Sequence, residues 1–217
     1  MLIVVGGMIG LGKTSVAEAL GEYFKSEVFY ESVDDNKILP LFYTSSPEEI
    51  QAKRYPFLLQ LWFLDTRFRS IKKALVDDNN VLDRSIYEDW YFARKNMELG
   101  RMSELEMEVY EKLADNMMEE LKELPKKAPD LMVYLKGSFE TVIDRIRRRG
   151  REYELDEELV EYYRFLWKDY DDWVMNHYNA SQVIIIDMDK TDIVGNLKDR
   201  ENMILQVEAK LKEIRAI

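Results

Sequence analysis

The feature that most constrains this chain is a glycine-rich segment from Gly7 to Thr14, which directly follows the apolar run from Leu2 to Val5. The segment fits the pattern G-x-x-x-x-G-K-[ST], in which backbone N–H groups surround phosphates, the lysine reaches the β and γ phosphates and the last hydroxyl holds Mg²⁺. The apolar run predicts a buried parallel strand, and the residues from Ser15 onward open a helix whose positive end points at the bound anion. This context indicates a nucleoside triphosphate site rather than a chance glycine-rich turn.

Further apolar runs alternate with stretches that carry apolar residues at helical spacing. The predicted strands are 2–5, 28–30, 81–82, 131–135 and 182–186. The predicted helices are 13–24, 47–76, 86–99, 103–124, 139–148, 156–178 and 201–215. Because strands that are separated by helices without hairpin signals pair in parallel, the sequence predicts an α/β fold. We expect a five-stranded parallel sheet flanked by helices, in a single domain over residues 1–217.

The composition narrows the kinds of molecule on which the protein could act. The chain has 31 basic and 42 acidic residues, and its formal charge of -11 repels nucleic acid polymers. Cysteine is absent, which excludes disulfides and thiol catalysis. The sequence opens on its first strand rather than on a leader, and no apolar run approaches the ~18 residues of a membrane span. We therefore expect a cytoplasmic protein that acts on a small molecule, without a membrane or nucleic acid partner.

An apolar stripe runs along the predicted helix 103–124. It consists of Leu105, Val109, Leu113, Met117 and Leu121, which recur at a spacing of one helical turn. Such a stripe is typical of a helix that faces a core or another subunit, and much less of a cofactor site. The apolar helices between residues 86 and 124 therefore indicate a homodimer, or a heterodimer with a related subunit.

Phosphoryl transfer requires a phosphate cradle, Mg²⁺, cations that follow the migrating charge, and a group that deprotonates the attacking oxygen. The expected cradle residues are Gly7, Met8, Ile9, Gly10, Leu11, Gly12, Lys13, Thr14 and Ser15. The third strand delivers Asp83 and Arg84 to the same sheet edge, which makes Asp83 with Thr14 the candidate metal site. Arg84 would then neutralise charge between donor and acceptor. Glu31 follows the second strand at this edge and is the candidate base, with a structural salt bridge as its alternative role.

A cluster of arginines follows the fourth strand. Arg145, Arg149 and Arg151 lie where a helix ends at Gly150, so the chain can form a flap whose guanidinium groups close over phosphates. The alternatives are a solvated charged face or a nucleic-acid patch, and the acidic chain disfavours the second. The lone His177 cannot form a metal cluster, and we interpret it as structural or exposed.

Several motifs taken together resemble the deoxyribonucleoside kinase family, most closely its bacterial deoxyadenosine/deoxyguanosine kinase branch. The matching segments are GMIGLGKTS at 7–15, YESVDDN at 30–36, LPLFY at 39–43, FLLQ at 57–60, FLDTRF at 63–68, DRSIYED at 83–89 and RGREYE at 149–154. The resemblance implies a three-layer P-loop kinase fold with a flap at about 149–155. It also implies that ATP with Mg²⁺ phosphorylates the 5′-hydroxyl of a deoxyribonucleoside in nucleotide salvage. Deoxyadenosine is the first expectation, with deoxyguanosine or deoxycytidine as further acceptors.

The resemblance also implies roles for individual residues. Glu31 matches the general base beside the 5′-hydroxyl, and Gln60 matches the glutamine that pairs with the nucleobase edge. The other acceptor-pocket matches are Arg67 and Asp89 at the base, and Tyr43 and Glu154 at the sugar 3′-hydroxyl. Asp189 lies in the loop after the fifth strand, where the family binds the adenine of ATP. Since a buried amide without its partner costs about 1 to 3 kcal/mol, polar groups in this pocket reject wrong bases.

Two other functions stay open at this point. A nucleoside monophosphate kinase of thymidylate-kinase type shares the loop and an Asp-Arg pair, but it needs extra cations for an acceptor phosphate. A nucleotide-binding regulatory subunit of a heterodimer would sense a nucleotide and stabilise its partner. The retained lysine, glutamate and Asp-Arg pair disfavour that second function.

Overall fold

A parallel sheet of five strands forms the centre of the computed structural model, which describes residues 1–31, 35–75, 79–121, 128–150 and 156–215. The strands are β1 (Leu2–Gly7), β2 (Glu27–Phe29), β3 (Asn80–Asp83), β4 (Leu131–Lys136) and β5 (Gln182–Asp187). They lie in the order β2-β3-β1-β4-β5, and every neighbouring pair is parallel. The predicted sheet is thus confirmed.

Helices cover both faces of this sheet. They are α1 (Lys13–Phe24), α2 (Ile38–Thr44), α3 (Pro47–Lys53), α4 (Tyr55–Ala74), α5 (Ile86–Glu98), α6 (Glu104–Leu121), α7 (Phe139–Arg149), α8 (Glu157–Lys168), α9 (Tyr170–Asp172) and α10 (Leu197–Arg215), with a π-helical turn at Trp173–His177. On one side α1 packs against β1, β3 and α10, whereas α4 packs against α5 and α6. The sheet and these two groups of helices give the three predicted layers.

The central strands are buried on both faces. Every residue of β1 is buried, and so are the first five residues of β4, whereas the edge strands β2 and β5 are partly exposed. A strand that is covered by helices on both sides reads as a continuous apolar run, which is why these strands are visible in the sequence. The register pairs Val5 with Asp83 and Gly7 with Leu135. The carboxyl ends of β1 and β3 therefore meet at one sheet edge.

The predicted helix 47–76 is wrong as a single element. Arg54 separates α3 from α4 and adopts a left-handed φ of 55°, which cannot continue an α-helix. The side chain of this residue reaches across to α6, where its Nε donates to Glu106 Oε1 at 2.7 Å. The break thus depends on a contact between distant parts of the chain, which apolar spacing cannot reveal. Residue 76 of the predicted helix lies outside the described residues.

The predicted helix 156–178 is also interrupted. The chain leaves α8 after Lys168 and continues through α9 and the π-helical turn. This change brings the Tyr170 side chain into the core, where it is 1% exposed. In addition, α10 begins at Leu197, before the predicted start at 201. Residues 122–124 of the predicted helix 103–124 lie outside the described residues.

The outer face of α6 carries the stripe that the sequence analysis identified. Leu105, Val109 and Leu113 are 69%, 42% and 39% exposed. The prediction that this face pairs with another subunit is untested by the single chain. In the described ranges, no helix combines the length and apolar character that a membrane crossing requires.

Candidate active site

The phosphate loop connects β1 to α1 through two glycines in the left-handed region. Gly10 and Gly12 have φ of 86° and 84°, a conformation that costs a residue with a Cβ about 1 to 2 kcal/mol. A Cβ on Gly10 would also lie 2.8 Å from Ile146 Cγ1. Gly12 is the N-cap of α1, and no described side chain caps the helix there. The first N–H groups of α1 are therefore available to an anion, as a phosphate cradle requires.

Lys13 is buried at the start of α1. Its Nζ donates to the carbonyl oxygens of Gly7 and Met8, each at 2.9 Å. Burial, with repulsion from Arg84, lowers the pKa of Lys13 to about 7. Phosphate oxygens beside this ammonium would favour its charged form.

Thr14 and Asp83 contact each other across the junction of α1 and β3. Thr14 Oγ1 donates to Asp83 Oδ2 at 2.6 Å, and Asp83 Oδ1 is buried without a hydrogen-bond partner among the described residues. Burial, together with repulsion from Glu31, raises the pKa of Asp83. An oriented hydroxyl beside an unsatisfied carboxylate oxygen is a donor set that suits a hard cation. The pair thus fits the predicted Mg²⁺ site.

Two arginines meet at Glu31 Oε1. Arg67 Nη2 donates to this oxygen at 3.1 Å, and Arg84 Nε lies 3.0 Å from it. Burial would raise the pKa of Glu31, but the surrounding cations, Arg84 first among them, lower it below its usual value. The carboxylate is therefore ionised at neutral pH. Its side chain is 22% exposed and faces the central cavity.

Arg84 is held in a strained backbone conformation. Its φ is 77°, in the left-handed region, and its guanidinium lies over the Phe92 ring at 4.7 Å from the ring centre. Burial opposes the charge, but Glu31 and Glu88 outweigh burial and raise the pKa of Arg84 above its usual value. A permanent charge in a fixed place is what stabilisation of a transferring phosphoryl group requires.

Arg67 on α4 connects the candidate base to the far side of the pocket. Its Nη1 donates to the Asp83 carbonyl at 2.6 Å, and its Nε donates to Asp89 Oδ2 at 3.2 Å. Burial raises the pKa of Asp89 to about 6, although Arg67 opposes this shift. Arg67 does not line the cavity. From behind the wall it positions Glu31 and Asp89.

A cavity of about 630 Å³ brings most of the predicted residues together. The predicted residues that line it are Ile9, Gly10, Gly12, Lys13, Thr14, Ser15, Glu31, Tyr43, Gln60, Asp83, Arg84, Asp89, Arg145 and Arg149. Gln60 is 4% exposed, and its Oε1 has no hydrogen-bond partner within the described ranges. An unsatisfied buried amide in a cavity wall is costly unless a ligand pairs with it. The cavity volume is in the range of small-molecule sites.

Other predicted residues lie at the margin of the cavity. Met8 and Leu11 bury their side chains in the core, and Gly7 ends β1. Arg145 braces the loop, since its Nη1 donates to the Leu11 carbonyl at 3.2 Å and its Nη2 to that of Met188 at 3.1 Å.

Asp189, predicted to lie at the donor base, faces the start of α7 instead of lining the cavity. Its carboxylate accepts the Ser138 N–H at 2.9 Å. Arg151 and Glu154, predicted for the flap, lie outside the described residues.

The sequence reasoning missed several residues in and behind the cavity wall, among them Phe92, Tyr162 and Glu88. Phe92 and Tyr162 line the cavity, and their apolar helical spacing is indistinguishable from that of core residues. Glu88 is fully buried between the phosphate loop and Arg84. The pattern Ser85-x-x-Glu88 could have revealed its capping role at α5, where both hydrogen bonds of a capping box are present.

Comparison with known proteins finds similarity to deoxynucleoside kinases. The sequence pattern of the deoxynucleoside kinase family matches residues 3–212. A deoxyguanosine kinase of Lactobacillus johnsonii is 48% identical over 216 residues, which cover 98% of this chain and 93% of the relative. A deoxyadenosine kinase of Lactobacillus acidophilus is 40% identical and covers 98% of this chain and 97% of the relative.

Solved structures agree with the sequence relatives. A deoxyadenosine kinase from M. mycoides with bound dATP has a TM-score of 0.77 and 26% identity, with 98% of this chain and 100% of that chain covered. The same enzyme with dCMP and dCDP has a TM-score of 0.78 and 25% identity at the same coverage. The predicted P-loop kinase fold is thus confirmed. The chain belongs to the deoxynucleoside kinase family of phosphotransferases.

Proposed function

We propose that the protein transfers the γ-phosphate of ATP to the 5′-hydroxyl of a purine deoxyribonucleoside. The observation that carries this proposal is the wall of one cavity, where the cradle around Lys13 and the ionised carboxylate of Glu31 face the same space. Arg84 lies 3.0 Å from that carboxylate, between the two sides. This arrangement suits a donor polyanion on one side and a neutral alcohol on the other.

In the proposed reaction the 5′-oxygen attacks the γ-phosphorus and the bond from that phosphorus to the β,γ-bridging oxygen breaks, so ADP leaves. Glu31 accepts the proton of the 5′-hydroxyl. Lys13 and Arg84 stabilise the charge on the transferring group. A carboxylate with a lowered pKa is a weak base, but it suffices here because the loose transition state of phosphoryl transfer releases the proton late.

Thr14 Oγ1 and the unpartnered Asp83 Oδ1 are the groups that would hold Mg²⁺. When bound, the ion neutralises charge on the donor phosphates. Within the described ranges no cluster of three or more acidic or histidine side chains forms a dedicated metal site. That finding fits a magnesium ion that keeps water and phosphate ligands.

Purine deoxynucleosides are the proposed acceptors. The two relatives at 48% and 47% identity are named deoxyguanosine kinases, and the one at 40% is named a deoxyadenosine kinase. The Gln60 amide oxygen, which has no partner among the described residues, and the Asp89 carboxyl supply hydrogen-bonding groups for a base edge. We therefore place deoxyguanosine beside deoxyadenosine, which the sequence analysis put first, with deoxycytidine third.

The charges on the acceptor side disfavour a nucleoside monophosphate as substrate. Arg67 and Arg84 are both paired with carboxylates, the first with Glu31 and Asp89, the second with Glu31 and Glu88. An acceptor phosphate would have to compete with these buried pairs. A nucleoside brings no charge and leaves them intact.

An ADP-release assay with the four deoxynucleosides and their monophosphates tests this proposal. We expect turnover on deoxyguanosine and deoxyadenosine with ATP and Mg²⁺, and none on the monophosphates. Turnover on monophosphates alone would instead favour the thymidylate-kinase type. No turnover with any acceptor, together with intact ATP binding, would favour a regulatory subunit.

The exposed stripe on α6 supports pairing with a second copy or a related subunit. Light scattering coupled to size exclusion would give the mass of the assembly directly. We expect a dimer that Leu105→Glu and Val109→Glu convert to monomer, since both residues are exposed on the same face. A monomeric wild-type protein would contradict the pairing.

A further inference from the structure

Glu88, on the first turn of α5, is a fully buried carboxylate that the proposed reaction does not use. Its Oε1 accepts the Gly7 N–H at 3.0 Å and also the Tyr170 hydroxyl. Its Oε2 accepts the Ser85 N–H at 2.9 Å. Arg84 Nη1 lies 3.5 Å from Oε1. One carboxylate therefore connects the start of the phosphate loop, the β3–α5 turn and α9.

Helix capping alone does not account for this residue. The capping box at α5 uses Oε2, and Oε1 is left for Gly7, Tyr170 and Arg84. A less buried capping glutamate is present at α6, where Glu106 accepts the Ser103 N–H at 2.8 Å, pairs with Arg54 and is 17% exposed. Full burial of a charge is unfavourable unless several partners compensate it. The partners of Oε1 include the Gly7 N–H and Arg84, and phosphoryl transfer requires the phosphate loop and this arginine to keep fixed relative positions.

Arg84 is the partner whose position depends most on its contact with Glu88. Its backbone is strained at a φ of 77°, so the neighbouring structure must determine where its side chain goes. The guanidinium lies between two carboxylates, with Nε facing Glu31 and Nη1 facing Glu88. Removal of the Glu88 carboxylate would leave the guanidinium held by a carboxylate at Nε alone.

We propose that Glu88, supported by the Tyr170 hydroxyl, is a positioning residue that fixes the Arg84 guanidinium relative to the first peptide of the phosphate loop. The transferring phosphate then meets the loop and the arginine in one arrangement. This inference rests on the proposed function, because the role of Arg84 in the transfer belongs to that proposal.

A double-mutant cycle between Glu88→Gln and Arg84→Met tests the inference. Glutamine keeps the size of the side chain but removes its charge and an acceptor. We expect kcat to fall about 10- to 100-fold, as for a small misplacement of a catalytic group, with little change in KM for either substrate. In the Arg84→Met background, Glu88→Gln should cause no further loss, because both changes remove the same arrangement.

Glu106→Gln is the matched control. It removes the charge of a glutamate that, like Glu88, caps a helix and pairs with an arginine, here Arg54, but does not line the cavity. We expect it to lower the melting temperature without lowering kcat, whereas Glu88→Gln lowers kcat even at temperatures where it is fully folded. If Glu88→Gln does not fold, Tyr170→Phe replaces it in the same cycle. This variant removes one hydroxyl and keeps the carboxylate, so we expect a smaller fall in kcat.

The outcomes separate the inference from the function on which it depends. Wild-type kcat in the Glu88 or Tyr170 variant, or losses that multiply with that of Arg84→Met, would overturn the positioning role. Full activity of Arg84→Met by itself would instead overturn the role of Arg84 in the proposed function.

Discussion

The two sides of the cavity are built in different ways. The proposed donor side is built around one continuous segment, residues 7–15, which includes Lys13 and is braced by Arg145. The acceptor side brings together Glu31 after β2, Gln60 on α4 and Asp89 on α5. The donor side is therefore set by local geometry, whereas the acceptor side depends on how distant elements pack.

The two sides also differ in how their charges are balanced. Lys13 donates to the backbone carbonyls of Gly7 and Met8, and burial, with repulsion from Arg84, lowers its pKa. On the acceptor side Arg67 is paired with both Glu31 and Asp89. A site with an unbalanced cation on one side and paired charges on the other discriminates a polyanion from a neutral acceptor.

The largest effect is expected on the donor side. Lys13→Met removes the buried ammonium, so kcat should fall about 10³-fold or more, since charge on the transferring phosphate loses a direct partner. ATP binding, measured by calorimetry, should weaken, while binding of deoxyguanosine alone should persist. Lys198→Met on the exposed part of α10 is the control and should leave both unchanged. Loss of nucleoside binding in the Lys13 variant would show that the two sides of the cavity do not bind their ligands independently.

The next effect is expected on the acceptor side. Glu31→Gln removes the proposed proton acceptor, and kcat should fall about 10²- to 10³-fold, within the usual contribution of a general base. Because Glu31 does not belong to the phosphate loop, the Kd for ATP should stay close to that of the wild type. Glu27→Gln, at the exposed start of β2, is the matched control. A Glu31 variant with full kcat would show that the carboxylate is only a structural partner of the arginines.

This division also explains which parts could be predicted from the sequence. The phosphate loop, the strands and the Asp83 and Glu31 strand ends follow from local patterns, because a buried strand and a glycine turn have short-range signatures. The break at Arg54 and the burial of Glu88 depend on contacts with α6 and with the phosphate loop. Such contacts produce no periodic pattern in the sequence. The pocket residue Gln60 was identified by resemblance to the family rather than by spacing.

A smaller effect is expected at the base edge. Gln60→Met keeps the volume of the side chain but removes its amide, so KM for the preferred deoxynucleoside should rise about 5- to 100-fold, which corresponds to about 1 to 3 kcal/mol. The value of kcat at saturation should change little, because the amide does not touch the reacting atoms. Gln51→Met on the exposed face of α3 is the control. If KM for each deoxynucleoside were the same in the variant as in the wild type, Gln60 would have no role in base recognition.

The smallest effect is a pH dependence of ATP binding that originates at Lys13. Its pKa of about 7 lies below the usual 10.5, so in the free protein the lysine is charged below pH 7 and neutral above it. Bound phosphates stabilise the charged form and raise this pKa. Binding therefore takes up a proton above pH 7 but not below it.

The affinity for ATP should thus fall by up to about tenfold per pH unit above pH 7, until the pKa of the bound form is reached. Calorimetry in two buffers of different ionisation enthalpy at pH 8 measures the proton uptake directly. The Lys13→Arg variant, whose side chain stays charged, should bind ATP without that uptake. The acceptor side offers a contrast at pH 8, since the pKa of Glu31 is lowered and that of Asp89 is about 6, so both carboxylates are ionised there. Deoxyguanosine binding should accordingly show no such uptake, and an equal uptake for both ligands would assign the titrating group to the shared cavity rather than to the donor side.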